Sequence, residues 1–164
     1  MMPLIVATTP DQLDDIPLHD AWFDVDSLIH DADARTLTVL FAQDPYLTPH
    51  ALQPHPDEPP EALQPQLVRK HGRSTEYRVP MVGWRLTVFH VREVQAKEGW
   101  AAMGMLTDLS FHAARRQLTI RSNGKLRIVV DALRVEATGG IDVVGWSRRR
   151  TGRFGGVSDT APNK

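Results

Sequence analysis

The densest alternation of apolar and polar positions runs from Gln117 to Thr138, QLTIRSNGKLRIVVDALRVEAT. Leu118 and Ile120 precede Asn123-Gly124; Leu126, Ile128 and Val130 follow it. Period-two alternation marks strands with one buried face, because successive side chains point to opposite sides. Asn-Gly between two such runs predicts a β-hairpin with a two-residue type I′ turn, since that turn needs φ > 0 at both central positions. The apolar positions on either side are its expected inner face.

The same period recurs elsewhere. Leu4 to Val6 is a short apolar run that Pro3 and Pro10 confine to an edge strand, and Asp11 to Asp15 suits one helical turn. In Leu18 to His30, LHDAWFDVDSLIH, the positions Ala21, Phe23, Val25, Ser27 and Ile29 fall on one face. Trp22, Asp24, Asp26, Leu28 and His30 fall on the other, which predicts a half-buried strand with its acidic side in solvent. A polar turn at Asp31 to Arg35 leads into Thr36 to Phe41, with Leu37, Val39 and Phe41 inward. One or two strands follow from Tyr77, and another spans Met103 to His112. Gly139-Gly140 then turns the chain into a last strand ending at Ser147.

Between these segments the pattern collapses. Seven prolines fall from Pro45 to Pro65. Each removes a backbone donor and disfavours helix in the residue before it, so Gln43 to Thr75 is expected to be a long extended insertion without a regular strand. The plan is therefore a single β domain over residues 1–147, with this Pro-rich loop at 43–75 and a basic, then polar, tail over 148–164. Seven or eight strands without an amphipathic helix predict an all-β fold, an antiparallel β-sandwich or open barrel.

There is also an internal echo. LIHDADARTLTV, starting at Leu28, aligns with LSFHAARRQLTI, starting at Leu109. Leu28/Leu109, Ala32/Ala113, Arg35/Arg116, Leu37/Leu118 and Thr38/Thr119 coincide. A duplicated β unit explains these matches; so does convergence of two similar turns.

Composition narrows the function classes. The chain has no cysteine, which excludes a disulfide framework, a thiol nucleophile and thiolate metal ligands. No apolar run approaches the roughly 20 residues of a membrane-spanning helix, and the first residues lack a basic segment ahead of an apolar one. A cytoplasmic protein without a membrane partner is expected. Charge adds an asymmetry. Residues 1–34 hold eight Asp and no Lys or Arg, so the rest carries +7 against a formal net charge of −1.

Three constellations could carry chemistry. The Asp/His face of the first long strand, with Asp24, Asp26 and His30, has ligands that suit zinc, iron or manganese, or groups for acid–base work; a solvated carboxylate face is the simpler explanation. Asp31 and Asp33 do not make a calcium loop, because Thr36 stands where the glycine belongs. Arg148, Arg149, Arg150 and Arg153, with Phe154 and glycines, could track phosphates and stack on a base, or solubilise a tail. Trp22 lies among acidic residues and suits a protein contact surface. No nucleophile elbow, phosphate loop or dinucleotide fingerprint occurs.

Leu18-His19-Asp20, the hairpin from Asp31 to Phe41 and the Leu86 to Val94 segment resemble a loose group of small bacterial β-rich proteins of unknown function, some of them immunity-protein-like. The resemblance implies a β-rich interaction protein and supplies no catalytic residue. The Pro-rich stretch and the basic tail depart from it.

The sequence reading is a non-catalytic binding or interaction module without cofactor or bound metal. A protein partner or a second copy would bind through Trp22, Asp24, Asp26 and His30. The alternatives are a metal-dependent enzyme on the Asp/His face, and nucleic-acid binding through the arginines.

Overall fold

Leu118, Ile120, Leu126, Ile128 and Val130 are all completely buried in the computed structural model, on two antiparallel strands, Gln117–Arg121 and Lys125–Val130. The alternation thus reads out as an inner face. The turn between these strands is not the expected two-residue one. Arg121 lies opposite Lys125, so three residues connect the strands, whereas a two-residue Asn-Gly turn would put Ser122 there. A three-residue connection wants glycine at its third position, which Gly124 supplies.

The structure describes residues 4–16, 21–43, 66–72, 74–96, 104–105, 108–121, 124–151 and 157–159; of residues 24–26, 71, 96, 104–105, 108, 141, 147–151 and 157–159 it describes the backbone. The described residues form twelve strands rather than seven or eight: β1 (Leu4–Ala7), β2 (Trp22–Asp31), β3 (Thr36–Gln43), β4 (Gln66–His71), β5 (Ser74–Val88), β6 (Val91–Ala96), β7 (Gly104–Met105), β8 (Asp108–His112), β9 (Gln117–Arg121), β10 (Lys125–Val130), β11 (Val135–Thr151) and β12 (Val157–Asp159). They make two antiparallel sheets. One runs β1-β11-β5-β3-β2-β7, with β4 added on β5 and β12 on β11; the other runs β6-β10-β9-β8. A single apolar core draws on the facing sides of both sheets, from Phe23, Leu37, Trp84 and Leu86 to Leu118 and Ile128. This is an open, two-layered all-β fold. The edge strand β1 and the 3-10 turn Asp11–Asp15 stand where expected, and the turn buries Leu13.

Four expectations are corrected. Gln66–His71 is a strand paired with β5, so regular structure reaches into the stretch expected to lack it, while residues 44–65 lie outside the described ones. The strand expected over Met103 to His112 is split: β7 pairs with β2 in the large sheet, β8 with β9 in the small one. Gly139-Gly140 is not a turn but a bulge inside β11, which continues to Thr151. Both a turn and a bulge use glycine at φ > 0, so the dipeptide fits either. Finally, Arg148, Arg149 and Arg150 belong to β11 and are paired with β5, not to a tail beginning after Ser147.

The internal echo holds in three dimensions. β2–β3 and β8–β9 are hairpins in matching register: Asp31 faces Thr36 as His112 faces Gln117, and His30 faces Leu37 as Phe111 faces Leu118. Arg35 (φ 55°) and Arg116 (φ 49°) both take the left-handed conformation at equivalent positions. Asp31 Oδ1 accepts from the Ala34 N–H at 2.9 Å, and His112 Nδ1 from the Arg115 N–H at 3.3 Å. Leu37 and Leu118 are both buried. Each hairpin continues into a third strand of its own sheet, β5 or β10, and the fourth crosses over: β6 joins the small sheet beside β10, and β11 the large one beside β5. The core of the fold is therefore two similar four-stranded units that exchange their last strands.

Asp131 ties the units at one end of the sandwich. Its carboxylate accepts a hydrogen bond from Arg35 Nη2 and lies 3.3 Å from Arg92 Nε. The Arg35 hydrogen bond, with the nearby charges of Arg35, Arg92 and Arg116, outweighs desolvation and holds Asp131 below the ordinary carboxylate value of 3.8. A depressed carboxylate contributes stability above its unfolded-state pKa and loses it as pH falls through the folded one. Urea midpoints of wild type and Asp131→Asn should therefore differ at neutral pH and converge below about pH 4. A difference that persists undiminished at pH 2–3 would assign the effect to packing instead.

Candidate functional site

The sandwich core ends before the sheet does. Its members on β5 and β11 run from Val82 to Val88 and from Val135 to Ala137. Beyond them β5 and β11 continue as one antiparallel ribbon to Thr75 and Thr151, flanked by β4 and β12. Two successive shifts between Gly139 and Gly145 mark the boundary: β11 gains three residues over β5 between the pairs Gly139/Trp84 and Gly145/Met81. Bulges bend a strand and increase its twist.

Register decides what this extension, the arm, presents. Arg148 lies opposite Arg78, and Arg150 opposite Glu76, which faces Arg69 across the β4 side. Directly opposed and alternate residues share a face. By register, positions 69, 78, 148 and 150 therefore place four arginines on one face, with Glu76 as its single acidic residue among the described ones. Arg69 Nε donates to Glu76 Oε2 at 2.9 Å. The guanidinium carbon of Arg78, itself exposed, sits 4.0 Å from the ring centroid of the half-buried Trp146, within cation–π range. Arg149 falls on the opposite side, in the row Leu67–Tyr77–Arg149–Asp159.

The other sequence candidates fare differently. Trp22 is half-buried, with Ala42 and Met105 as its register neighbours. Asp24 pairs with Leu40; the side chains of Asp24 and Asp26 lie outside the described ones. The expected common face of Asp24, Asp26 and His30 is corrected. Between the pairs Asp24/Leu40 and Ile29/Thr38, β2 holds four residues against one on β3. This odd excess reverses the alternation, so positions 24 and 30 fall on opposite faces. Ile29, expected inside, is 64% exposed, and Leu28, expected outside, packs against the core. Ser27 holds the bulge: its Oγ accepts from the Leu40 N–H at 2.8 Å. Arg153 lies outside the described residues.

Among the described residues no group of three or more His, Cys, Asp or Glu could hold a metal, and no helix is long and apolar enough to cross a membrane. Of the exposed large apolar residues among those described, Leu67 and Val68 on β4 and Val143 and Val144 at the β11 bulge form adjacent pairs on or beside the arm, whereas the others are interspersed with polar ones: Leu4 and Leu40 flank Thr138 and Arg85, and Val6 and Ile29 flank Glu136, Thr87 and Thr38. Scattered single apolar residues are ordinary surface. Sequence reasoning found Arg148 and Arg150 but missed Arg69 and Arg78, which pairing brings to them from some 70 residues away along the chain.

Comparisons with protein-family models, curated proteins and solved structures found no match.

Proposed function

We propose that this protein is a non-catalytic binding module whose contact surface is the arm formed by β4, β12 and the distal parts of β5 and β11. One observation carries the reading. Arg78 stands directly opposite Arg148 on a four-arginine face beyond the core. Like charges facing each other across a ladder destabilise the sheet. A feature that costs the fold stability without serving its packing suits a surface built for something outside the molecule.

The contact then lies on the arm rather than around Trp22. The test compares material copurifying with wild type, Arg78→Gln and Trp22→Ala, each checked for native circular dichroism. Arg78→Gln should release the bound material, and Trp22→Ala should retain it. Retention by every arm variant, with release by a folded Trp22→Ala, would return the contact to Trp22 and the acidic strand.

A further inference from the structure

We infer that the arm's ligand is single-stranded nucleic acid, an assignment that rests on the arm being the contact surface. Three features of the face point to this chemistry. The first is charge: the register puts Arg69, Arg78, Arg148 and Arg150 on the face that holds Glu76 as its acidic residue among the described ones, a sign balance that complements a polyanion. The second is spacing. Neighbouring strands lie about 4.8 Å apart and alternate residues about 6.6 Å apart along a strand, so these four arginine positions form a two-dimensional lattice in backbone register. A flexible phosphate backbone can follow such a lattice in several registers, which suits sequence-tolerant binding.

The third feature separates nucleic acid from other polyanions. Arg78 lies over Trp146 at 4.0 Å and is exposed. Guanidinium groups and aromatic rings are both planar surfaces on which an unstacked base can lie, and here the two stand together. An acidic polypeptide would satisfy the charges but carries no planar group at every repeat. A duplex keeps its bases stacked inside and could use the charges alone. A base free to splay out needs a single strand. The acidic residues 1–34 of a second copy are the competing occupant, and the test gives them their own outcome.

The experiment is fluorescence anisotropy of a labelled 20-nucleotide oligouridylate and oligodeoxythymidylate with the full chain. Binding should weaken roughly 50-fold between 50 and 200 mM salt if four phosphates are contacted, from a slope of about 0.7 per phosphate. Arg78→Gln and Arg148→Gln should each flatten that slope by about one contact's share. Trp146→Ala should weaken binding about tenfold with its salt slope unchanged, because it removes the platform and not a charge. Arg85→Gln, an exposed arginine on the sandwich, should leave both unaltered.

Absence of oligonucleotide binding at 50 mM salt would overturn the assignment. So would equal affinity for a duplex or for polyglutamate, or affinity untouched by the arm variants. If oligonucleotides do not bind but wild type self-associates in size-exclusion chromatography and Arg78→Gln does not, the arm binds a second copy. The nucleic-acid assignment then falls while the arm remains the contact surface.

Discussion

Trp84→Ala is expected to lower the unfolding free energy by about 3–5 kcal/mol, the usual cost of truncating a buried aromatic side chain. Trp84 is among the largest fully buried side chains and stacks on Phe41, with ring centroids 6.3 Å apart and planes 4° from parallel. One effect works the other way. Among the described residues nothing accepts a hydrogen bond from its indole N–H, and an unsatisfied buried donor costs about 1–3 kcal/mol. The lost packing outweighs that relief, so the net change is destabilising. Trp84→Phe keeps a ring and removes the orphan donor, and should lose less than Trp84→Ala. Urea unfolding measures both. A midpoint for Trp84→Ala equal to wild type would show that the ring is not packed as described.

Gly139→Ala should cost about 3 kcal/mol or more, since strain at such backbone angles alone costs about 1–3 kcal/mol for a residue with a side chain and a backbone clash adds to it. A Cβ on Gly139 would lie 2.2 Å from the Gly83 carbonyl oxygen and 2.8 Å from Trp84 Cα, at φ +138°. Both obstacles are backbone, so no flexible group can move aside. The neighbouring Gly140 faces the Trp84 ring instead, whose Cζ2 would stand 2.6 Å from a Cβ added there. The two glycines thus let β11 cross Trp84 at the point where the sandwich ends and the arm begins. Urea midpoints again report the loss, with an unchanged slope expected if only stability is altered. A Gly139→Ala protein as stable as wild type would mean that β11 does not pass this close to β5.

How much of this was legible in the sequence depended on whether pairing stayed regular. The β9–β10 hairpin was legible because its apolar period is unbroken on both sides; its loop length was not, because Asn123-Gly124 fits a two-residue turn and a three-residue connection alike. β2 shows the limit clearly. Period-two reading works through Phe23 and fails at Leu28 and Ile29, because the intervening bulge carries no composition signal. Ser27, which bonds Leu40 there, looks like any inward small residue until its partner is known. The arm was hidden for a different reason. Gln66–His71 follows a proline-rich stretch and has no alternating apolar residues, and Arg148–Arg150 reads as a solvated charge run. β4 joins β5 by a tight local hairpin with His71 opposite Ser74, but the β5–β11 pairing that completes the arm is long-range, and no local pattern encodes it.

The exchanged fourth strands set the order in which the chain can become native. β5 holds β3 on one side, but its other neighbour, β11, begins 47 residues later, at Val135 opposite Val88. At a synthesis rate of about 5–20 residues per second, that strand edge waits roughly 2–10 s for its partner. β6 waits likewise for β10. During this interval the first unit carries an open ladder beside Leu86 and Val88, whose burial needs the second unit. Unpaired edges next to apolar faces recruit other chains. Expression at reduced temperature or slower initiation, which lowers the number of half-made chains present together, is thus the regime in which this topology yields most soluble protein.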